Sequence, residues 1–124
     1  MVEDGKLLSW SLVSSLSKWG FEVHPVFTGR DAVARLQESG FDAVLLDYQL
    51  PDSDGLAIAR QIRKLQPNAI ILLMTAFQLN ELFVDDGLID DYFNKPLDLA
   101  QLHQALETVA RAHGTGRELE KTRI

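Results

Sequence analysis

A short apolar run that ends at a carboxylate is the feature that most constrains the fold. Residues 43–46 read AVLL and are bounded by Gly40 and Asp47. Four residues are too few for a helix, and an unbroken apolar run is typical of a strand buried on both faces in a parallel sheet. In an open α/β sheet, ligands bind outside the carboxyl ends of the strands. The run therefore predicts a parallel sheet that delivers Asp47 to a functional site.

Strand and helix patterns alternate along the rest of the chain. A second apolar run covers residues 69–74, and shorter strands are predicted at 21–27, where Pro25 favours an edge position, and at 91–93. Apolar residues recur at helical spacing in between. This alternation predicts a doubly wound α/β fold, a parallel sheet with helices on both faces. The helices are predicted at residues 6–19, 28–39, 56–66 and 98–112, with a doubtful one at 79–87.

The periodic apolar residues identify the expected core. Each predicted helix carries them on one face, and the aromatic residues near the first helix are expected to pack with them. The predicted core includes Leu8, Trp10, Leu12, Leu16, Trp19, Phe21, Ile58, Ile62, Leu65, Leu99, Leu102, Leu106 and Val109. Surface positions are expected for three histidines without metal-ligand spacing and for an acidic group, namely His24, His103, His113, Asp85, Asp86, Asp90 and Asp91.

Composition limits the classes of partner. The length of 124 residues suits one domain. A net charge of −6 without a basic stripe argues against direct binding to nucleic acid. The absence of cysteine excludes disulfides and thiol chemistry and suits a cytoplasmic protein. No apolar run has membrane-spanning length and no signal-peptide pattern is evident, so no membrane contact is expected.

Met1-Val2 is a strand stub, and polar residues follow it and three of the predicted strands. Glu3 and Asp4, Asp47, Thr75 and Lys95 should therefore meet at one edge of the sheet. Neighbouring carboxylates repel one another unless a cation joins them, and Mg²⁺ prefers such oxygen ligands. A lysine and a hydroxyl beside a cation are what phosphoryl transfer requires, and a carboxylate nucleophile forms an acyl phosphate.

The chain carries four ordered motifs that closely resemble the receiver domain of two-component response regulators. They are Glu3-Asp4, LLDYQLPDSDG at 45–55, MTA at 74–76 and DDYFNKP at 90–96. The resemblance covers residues 1–112, which we assign to the receiver domain, and leaves 113–124 as a linker or tail. It implies a flavodoxin-like five-stranded sheet in the order 2-1-3-4-5.

The resemblance also implies a role for each residue of the predicted site. Asp47 accepts a phosphoryl group from a histidine kinase or a phosphotransfer protein, with Mg²⁺ as cofactor. Thr75 hydrogen-bonds the phosphoryl group and Lys95 pairs with it, and Pro96 follows in the cis form. The implied metal ligands are Glu3, Asp4, Asp47 and the backbone carbonyl of Gln49. Catalysis is at most self-catalysed phosphoryl transfer and autodephosphorylation, not that of a conventional enzyme.

The implied switch couples Thr75 to Tyr92. The phosphoryl group adds about −1.5 to −2 of charge, Thr75 moves toward it, and Tyr92 swings into the space. The partner surface formed by the fourth helix, fifth strand and fifth helix then changes its affinity for an output domain or effector protein. A homodimer is one option for that partner.

Two departures from the family pattern stand out. Only Met1-Val2 precede Glu3, so the central first strand is expected to be truncated. Either the real start lies upstream, or something else fills the slot, such as a swapped or donated strand in an unusual oligomer. The interval from Thr75 to Lys95 is short, which predicts a brief or irregular fourth helix. Phe77, two residues after Thr75, is expected to shield the acyl phosphate from water.

Two other functions compete with the signalling switch. A phosphatase of the haloacid-dehalogenase type needs a second carboxylate two residues after the nucleophile, and Gln49 stands there. A receiver-shaped protein-binding module that is not phosphorylated remains the alternative, and the short first strand and the unusual fourth helix are the features that favour it.

Overall fold

The regular part of the sheet consists of three parallel strands, β1 (Ala43–Asp47), β2 (Ile70–Thr75) and β3 (Asp91–Asn94), paired in that order. They belong to a computed structural model that describes residues 1–76, 87–113 and 122–124. The register sets Asp47 opposite Met74 and Thr75 opposite Asn94. The three strands therefore end at the same edge of the sheet, as the two apolar runs predict.

Within the described residues, four helices cover the two faces of the sheet. They are α1 (Lys6–Lys18), α2 (Gly29–Glu38), α3 (Gly55–Leu65) and α4 (Leu99–His113). The buried residues of α1 and α4 belong to one core cluster and those of α2 and α3 to the other, with the strands contributing alternate residues to each. Because successive strand residues point to opposite faces, a strand without polar residues serves both clusters. The doubly wound α/β architecture is confirmed.

Side-chain caps begin three of the helices. Thr28 accepts a hydrogen bond from the Asp31 amide at 3.1 Å, and Asp54 accepts one from the Ala57 amide at 2.8 Å. Asp98 accepts hydrogen bonds from the amides of Ala100 and Gln101. Each cap satisfies amides that have no partner within the helix.

Several residues lie elsewhere than their pattern predicts. Trp10 is 77% exposed, because it lies on the outer side of α1 beside Leu7. Leu65 and Leu99 are 38% and 41% exposed, since each lies at a helix end beyond the contact with the sheet. Asp90 is not merely solvated: its Oδ2 accepts hydrogen bonds from the Ile71 amide at 2.7 Å and from Arg63 at 3.1 Å.

The position beside β1 that the family's first strand would occupy, here called the first-strand slot, is filled by two short pieces. Val2 pairs with Leu46 of β1 on one side and with Val26 on the other. Toward the amino end of β1, Arg123 pairs with Glu22 in the same slot. The prediction of a truncated first strand is confirmed, and the chain's own Thr122–Ile124 completes the slot. These three residues fall in the range 113–124 predicted as a linker or tail, yet Ile124 is fully buried.

The segment of residues 21–26 forms the edge beyond this slot through single bridges rather than a regular strand. The amides of Glu22, His24 and Val26 point into the slot, so those of the intervening residues point outward. Pro25 occupies an outward position, where its missing N–H costs nothing. Counted with the bridges, the sheet has the order 2-1-3-4-5 expected of a flavodoxin-like fold.

Two expectations fall largely outside the described residues. The doubtful helix at 79–87 is covered only at Gly87, and Phe77 is not covered. Among the helices that are described, none combines the length and the apolar character needed to cross a bilayer.

Candidate functional site

Three carboxylates and one lysine meet at the carboxyl edge of the sheet and form what we call the acidic site. Glu3 follows the paired Val2, Asp47 is the last residue of β1, and Lys95 follows β3. The Lys95 Nζ donates to Glu3 Oε1 at 2.7 Å and to Asp47 Oδ2 at 3.1 Å. Glu3 and Asp47 are buried, Lys95 is half-buried, and Asp4 is exposed at the rim. The structure thus brings together four residues that the sequence singled out.

Both oxygens of the Asp47 carboxylate are held. Oδ2 contacts Lys95, and Oδ1 accepts a hydrogen bond from the Gln49 amide at 3.3 Å. Burial, aided by the charge of Glu3 and opposed by Lys95, raises the pKa of Asp47 to about 6. A group with this pKa is ionised at neutral pH yet poorly solvated, which favours a nucleophile over a passive surface charge.

Lys95 is the counter-ion of the acidic site. Burial alone would lower the pKa of its ammonium, but the hydrogen bonds to Glu3 and Asp47 outweigh that effect, so the pKa is raised. The group therefore stays protonated throughout the physiological range. Its three donors, two of them used here, can also serve an anion that arrives at Asp47.

The acidic site fits a divalent cation. Oxygen atoms of Glu3, Asp4 and Asp47 lie within 4.8 Å of one another. With all three carboxylates ionised and Lys95 protonated, the group has a formal charge of −2. Mg²⁺ takes one or two carboxylates plus water and phosphate oxygens, and the exposed Asp4 leaves one side open to solvent. The donor set is therefore suited to magnesium.

Thr75 and Tyr92 lie on the same face of the sheet. Tyr92 pairs with Leu73 in the β2–β3 register, and Leu73 precedes Thr75 by two residues. Because residues two apart share a face, Tyr92 is a diagonal neighbour of Thr75. Thr75 is buried, whereas Tyr92 is half-buried against the α2 and α3 cluster. The peptide bond between Lys95 and Pro96 is cis, which is the form that the resemblance implies.

Gly55 and Asp52 support the site in ways that the sequence did not reveal. A Cβ on Gly55 would lie 2.5 Å from the Asp47 carbonyl oxygen and 2.8 Å from the Tyr48 Cα, so only glycine lets α3 start so close to β1. The carboxylate of Asp52 accepts hydrogen bonds from the Gly29 and Arg30 amides, both at 2.9 Å. It thereby ties the loop after Asp47 to the start of α2. The PDSDG run indicates a turn but not these contacts.

A doubly wound α/β domain with carboxylates and a lysine at its strand ends belongs to a class suited to hold a divalent cation beside a phosphoryl group. Comparison with known proteins identifies the family within that class. Residues 1–107 match the family model of the response regulator receiver domain. The chain therefore belongs to the response regulator receiver domain family of two-component signalling.

Curated relatives carry the match as part of longer proteins. The chain is 39% identical over 112 residues to the transcriptional regulatory protein ZraR of Salmonella typhimurium, covering 87% of this chain and 25% of that protein. It is 33% identical over 113 residues to the transcriptional regulatory protein TcrA of Mycobacterium tuberculosis, covering 90% and 45%. The chain thus spans about a quarter of the length of the first of these relatives and less than half of the second.

Solved structures share the fold closely. The response regulator protein TrrA of Thermotoga maritima, solved in complex with Mg²⁺-BeF, superposes with a TM-score of 0.79 at 26% identity, over 87% of this chain and 94% of that one. The receiver domain from Methylobacillus flagellatus has a TM-score of 0.80 at 32% identity, over 87% and 93%. Both chains are similar in size to this one, since the match covers more than nine-tenths of each.

Proposed function

We propose that this domain is a phosphorylation-controlled switch whose phosphoryl acceptor is Asp47. The observation that carries the proposal is the convergence of Asp47, Glu3 and the Lys95 ammonium at the carboxyl edge of the sheet, with Lys95 bonded to both carboxylates. A buried, oriented carboxylate beside a fixed cation is the arrangement that transfer to an aspartyl group requires. The match to a family model over residues 1–107 supports the same conclusion.

In the proposed step, a phosphohistidine of a histidine kinase or phosphotransfer protein is the donor. A carboxylate oxygen of Asp47 attacks phosphorus, and a P–O bond forms while the P–N bond to the donor imidazole breaks. The imidazole nitrogen keeps the electron pair and takes up a proton. Lys95 is already 3.1 Å from Asp47 Oδ2, so its ammonium can follow the charge onto a phosphoryl oxygen.

The proposed metal is Mg²⁺, held by Glu3, Asp4, Asp47 and the backbone carbonyl of Gln49. When bound, it supplies positive charge that stabilises the phosphoryl oxygens. The Mg²⁺-BeF complex of TrrA, a relative of the same fold, supports this assignment. The Glu3 carboxylate is presented firmly, because its Oε2 accepts a hydrogen bond from the Gly5 amide at 2.7 Å.

The proposed output is a change in the surface beside Tyr92. A phosphoryl group on Asp47 attracts the Thr75 hydroxyl, and Tyr92, its diagonal neighbour, then packs more deeply. Coupling of this kind is typically about 1–3 kcal/mol, so the two states are close in energy. The partner is an output domain, an effector protein or a second copy bound at the surface of β3 and α4. The proposed place of action is the cytoplasm.

Incubation with acetyl phosphate and Mg²⁺ tests the proposal. Intact-mass measurement should show the addition of one phosphoryl group, and borohydride reduction followed by peptide mapping should locate it at residue 47. The Asp47→Asn variant should gain no mass, whereas the matched control Asp91→Asn, at an exposed position, should gain it like the parent. Chelation of Mg²⁺ should also prevent the gain.

The same experiment identifies the alternative. A folded sample that gains no phosphoryl group in the presence of Mg²⁺ would support a receiver-shaped binding module that is not phosphorylated. Phosphorylation that persists in Asp47→Asn would move the acceptor to another residue.

A further inference from the structure

The first-strand slot contains both ends of the chain. Along its edge side, Arg123 pairs with Glu22 and Val2 pairs with Val26, both in parallel. The two pieces therefore run in the same direction, one after the other, with the C-terminal piece first. Together they take the place of one continuous strand.

The hydrogen bonds fix how many residues separate the two pieces. The His24 amide donates to the Ile124 carbonyl at 2.9 Å, and the Met1 amino group donates to the His24 carbonyl at 3.1 Å. In a parallel ladder, one residue bonds in this way to the residues before and after its partner. The partner of His24 is therefore a single position between Ile124 and Met1 that neither piece occupies.

The β1 side of the slot also holds both pieces. The Arg123 carbonyl accepts hydrogen bonds from the Asp42 amide at 3.0 Å and from the Ala43 amide at 3.2 Å, and the Val2 carbonyl accepts one from the Asp47 amide at 2.9 Å. Because two successive amides share the Arg123 carbonyl, the ladder is irregular on this side. The count of one residue therefore rests on the ladder along residues 22–26.

Side-chain alternation agrees with the gap. Ile124 and Met1 both belong to the core cluster of α1 and α4, and Val2 belongs to the cluster of α2 and α3. One residue between Ile124 and Met1 would point toward α2 and α3. A cavity lies on that face, lined by Val26, Ala32, Leu36 and Val44 together with Met1 and Ile124.

The slot also recognises the side chains of the C-terminal piece. The Arg123 Nε donates to Glu22 Oε2 at 2.7 Å and its Nη1 to the Gly40 carbonyl at 2.8 Å, with the guanidinium 4.7 Å from the centre of the Phe41 ring. The Arg123 amide donates to Asp42 Oδ2 at 2.9 Å. Ile124 is fully buried. These contacts suit an extended peptide that contains Arg-Ile.

We propose that Thr122–Ile124 is a strand donor: the slot binds an extended segment that contains Arg-Ile, and the bound segment braces Met1–Asp4, which carries two carboxylates of the acidic site. Without it, the amides of Glu22, His24 and Ala43 lose their partners. Water then reaches the core side of Met1. The bracing of the metal ligands rests on the proposed function, but the docking of the strand does not.

A chain that ends at residue 121 tests the donor role. We expect it to unfold at lower urea concentration than the full chain, and a peptide of residues 116–124, added in trans, to restore the midpoint saturably. A control peptide with Arg123→Glu and Ile124→Asp should not restore it. Equal stability of the shortened and full chains would overturn the proposal, as would equal rescue by both peptides. The urea midpoint and its rescue by the peptide do not depend on phosphorylation. This test therefore holds even if the proposed function at Asp47 is wrong.

Circular permutation tests the one-residue gap and does not require the shortened chain to fold. The permuted chain starts at residue 118, runs to Ile124, and continues through a bridge into Met1 and on to residue 117. We expect a single valine as bridge to give higher stability than a direct Ile124–Met1 bond, which shifts the register of one piece. A direct bond that is as stable as the valine bridge would refute the count.

Light scattering of the full chain identifies whose segment fills the slot. A monomer across the concentration range supports docking of the chain's own end, as the structure has it. A concentration-dependent dimer that the Arg123→Glu variant abolishes would show exchange between copies and overturn the intramolecular assignment. Mg²⁺ titration of the shortened chain then tests the bracing: we expect weaker binding than in the full chain, and unchanged binding would remove that part of the proposal.

Discussion

The two sides of β1 are built in different ways. On one side, β2 forms five consecutive residue pairs, from Ala43 with Ile70 to Asp47 with Met74. On the other side, the slot is filled by Met1–Glu3 and Thr122–Ile124, which no peptide bond joins. Both sides are equally buried, since Ile71 and Ile124 are each 0% exposed. They differ in what holds the neighbour in place.

This difference has a thermodynamic consequence. A residue within β2 cannot leave the core unless the domain unfolds, whereas a three-residue terminal piece can dissociate by itself. Ordering a backbone residue costs about 1–2 kcal/mol, so the net free energy of docking such a piece is small. The slot side of β1 is therefore expected to open before the β2 side.

Matched substitutions of the two isoleucines should show the largest effect. Ile71→Ala should lower the free energy of unfolding by about 2–5 kcal/mol, because it leaves a cavity that the sheet cannot close. Ile124→Ala removes the same atoms, yet its cost cannot exceed the docking free energy of its segment, so we expect a smaller loss. Urea unfolding of both variants measures the difference, and an equal loss would mean that the slot is as cohesive as β2.

The pH dependence of stability should have opposite signs in the two regions. The pKa of Asp47 rises from 3.8 to about 6 on folding. Its stabilising contribution is therefore complete below pH 4 and is lost as the pH rises to 6. Burial, with the charge of Arg35, lowers the pKa of the Met1 amino group from 8.0 to about 5. Between pH 5 and 8 the amino group is therefore protonated in the unfolded chain but not in the folded one. The free energy of unfolding should increase as the pH rises through this range.

Two variants separate these contributions. At about 1.4 kcal/mol per pKa unit, the contribution of each group to the free energy of unfolding is at most about 3–4 kcal/mol. Acetylation of the N-terminus should remove the increase between pH 5 and 8. Asp47→Asn should remove the decrease between pH 4 and 6. Unfolding free energies across this range, taken as differences from the parent, give both results. A difference curve without slope in its window would exclude the titration assigned to that group.

The sequence reveals the acidic site better than the slot for a physical reason. Asp47 follows an apolar run and Lys95 follows a short strand, so the parallel topology alone brings them to one edge. Nothing local marks Arg123 and Ile124, which lie at the end of a charged stretch and pair with residues about a hundred positions earlier. A pattern of three residues is too short to show strand periodicity. Helix faces were predictable in their middle turns, but the exposure of Trp10 depends on how α1 is turned against the sheet.

Gly55 and Gly40 extend the comparison to the two ends of β1. Gly55→Ala should cost about 1–3 kcal/mol, because its Cβ would lie 2.5 Å from the Asp47 carbonyl oxygen and force α3 away from the strand. A Cβ on Gly40 would meet no atom within 4 Å, and Gly40 does not have a positive φ. Gly40→Ala should therefore be neutral or stabilising by about 0.4–1 kcal/mol. Thermal unfolding of both variants provides the test. A Gly55→Ala variant as stable as the parent would show that the backbone at the Asp47 end of β1 can move to accommodate the Cβ.

Replacement of Lys95 should have a moderate effect on stability and a large one on phosphorylation. Lys95→Met leaves Glu3 and Asp47 buried without their ammonium, which should cost about 1–3 kcal/mol, because protonation of Asp47, whose pKa is already about 6, relieves part of the unpaired charge. Loss of the cation raises the pKa of Asp47 further, so the destabilisation should be greater at pH 8 than at pH 5, where Asp47 is protonated. Lys64→Met, at an exposed position of α3, is the control and should change neither stability nor acetyl phosphate labelling. If Lys95→Met were labelled at the parent rate, Lys95 would serve only to neutralise the carboxylates. Its role would then be structural, like that of Arg123 beside Glu22 in the slot.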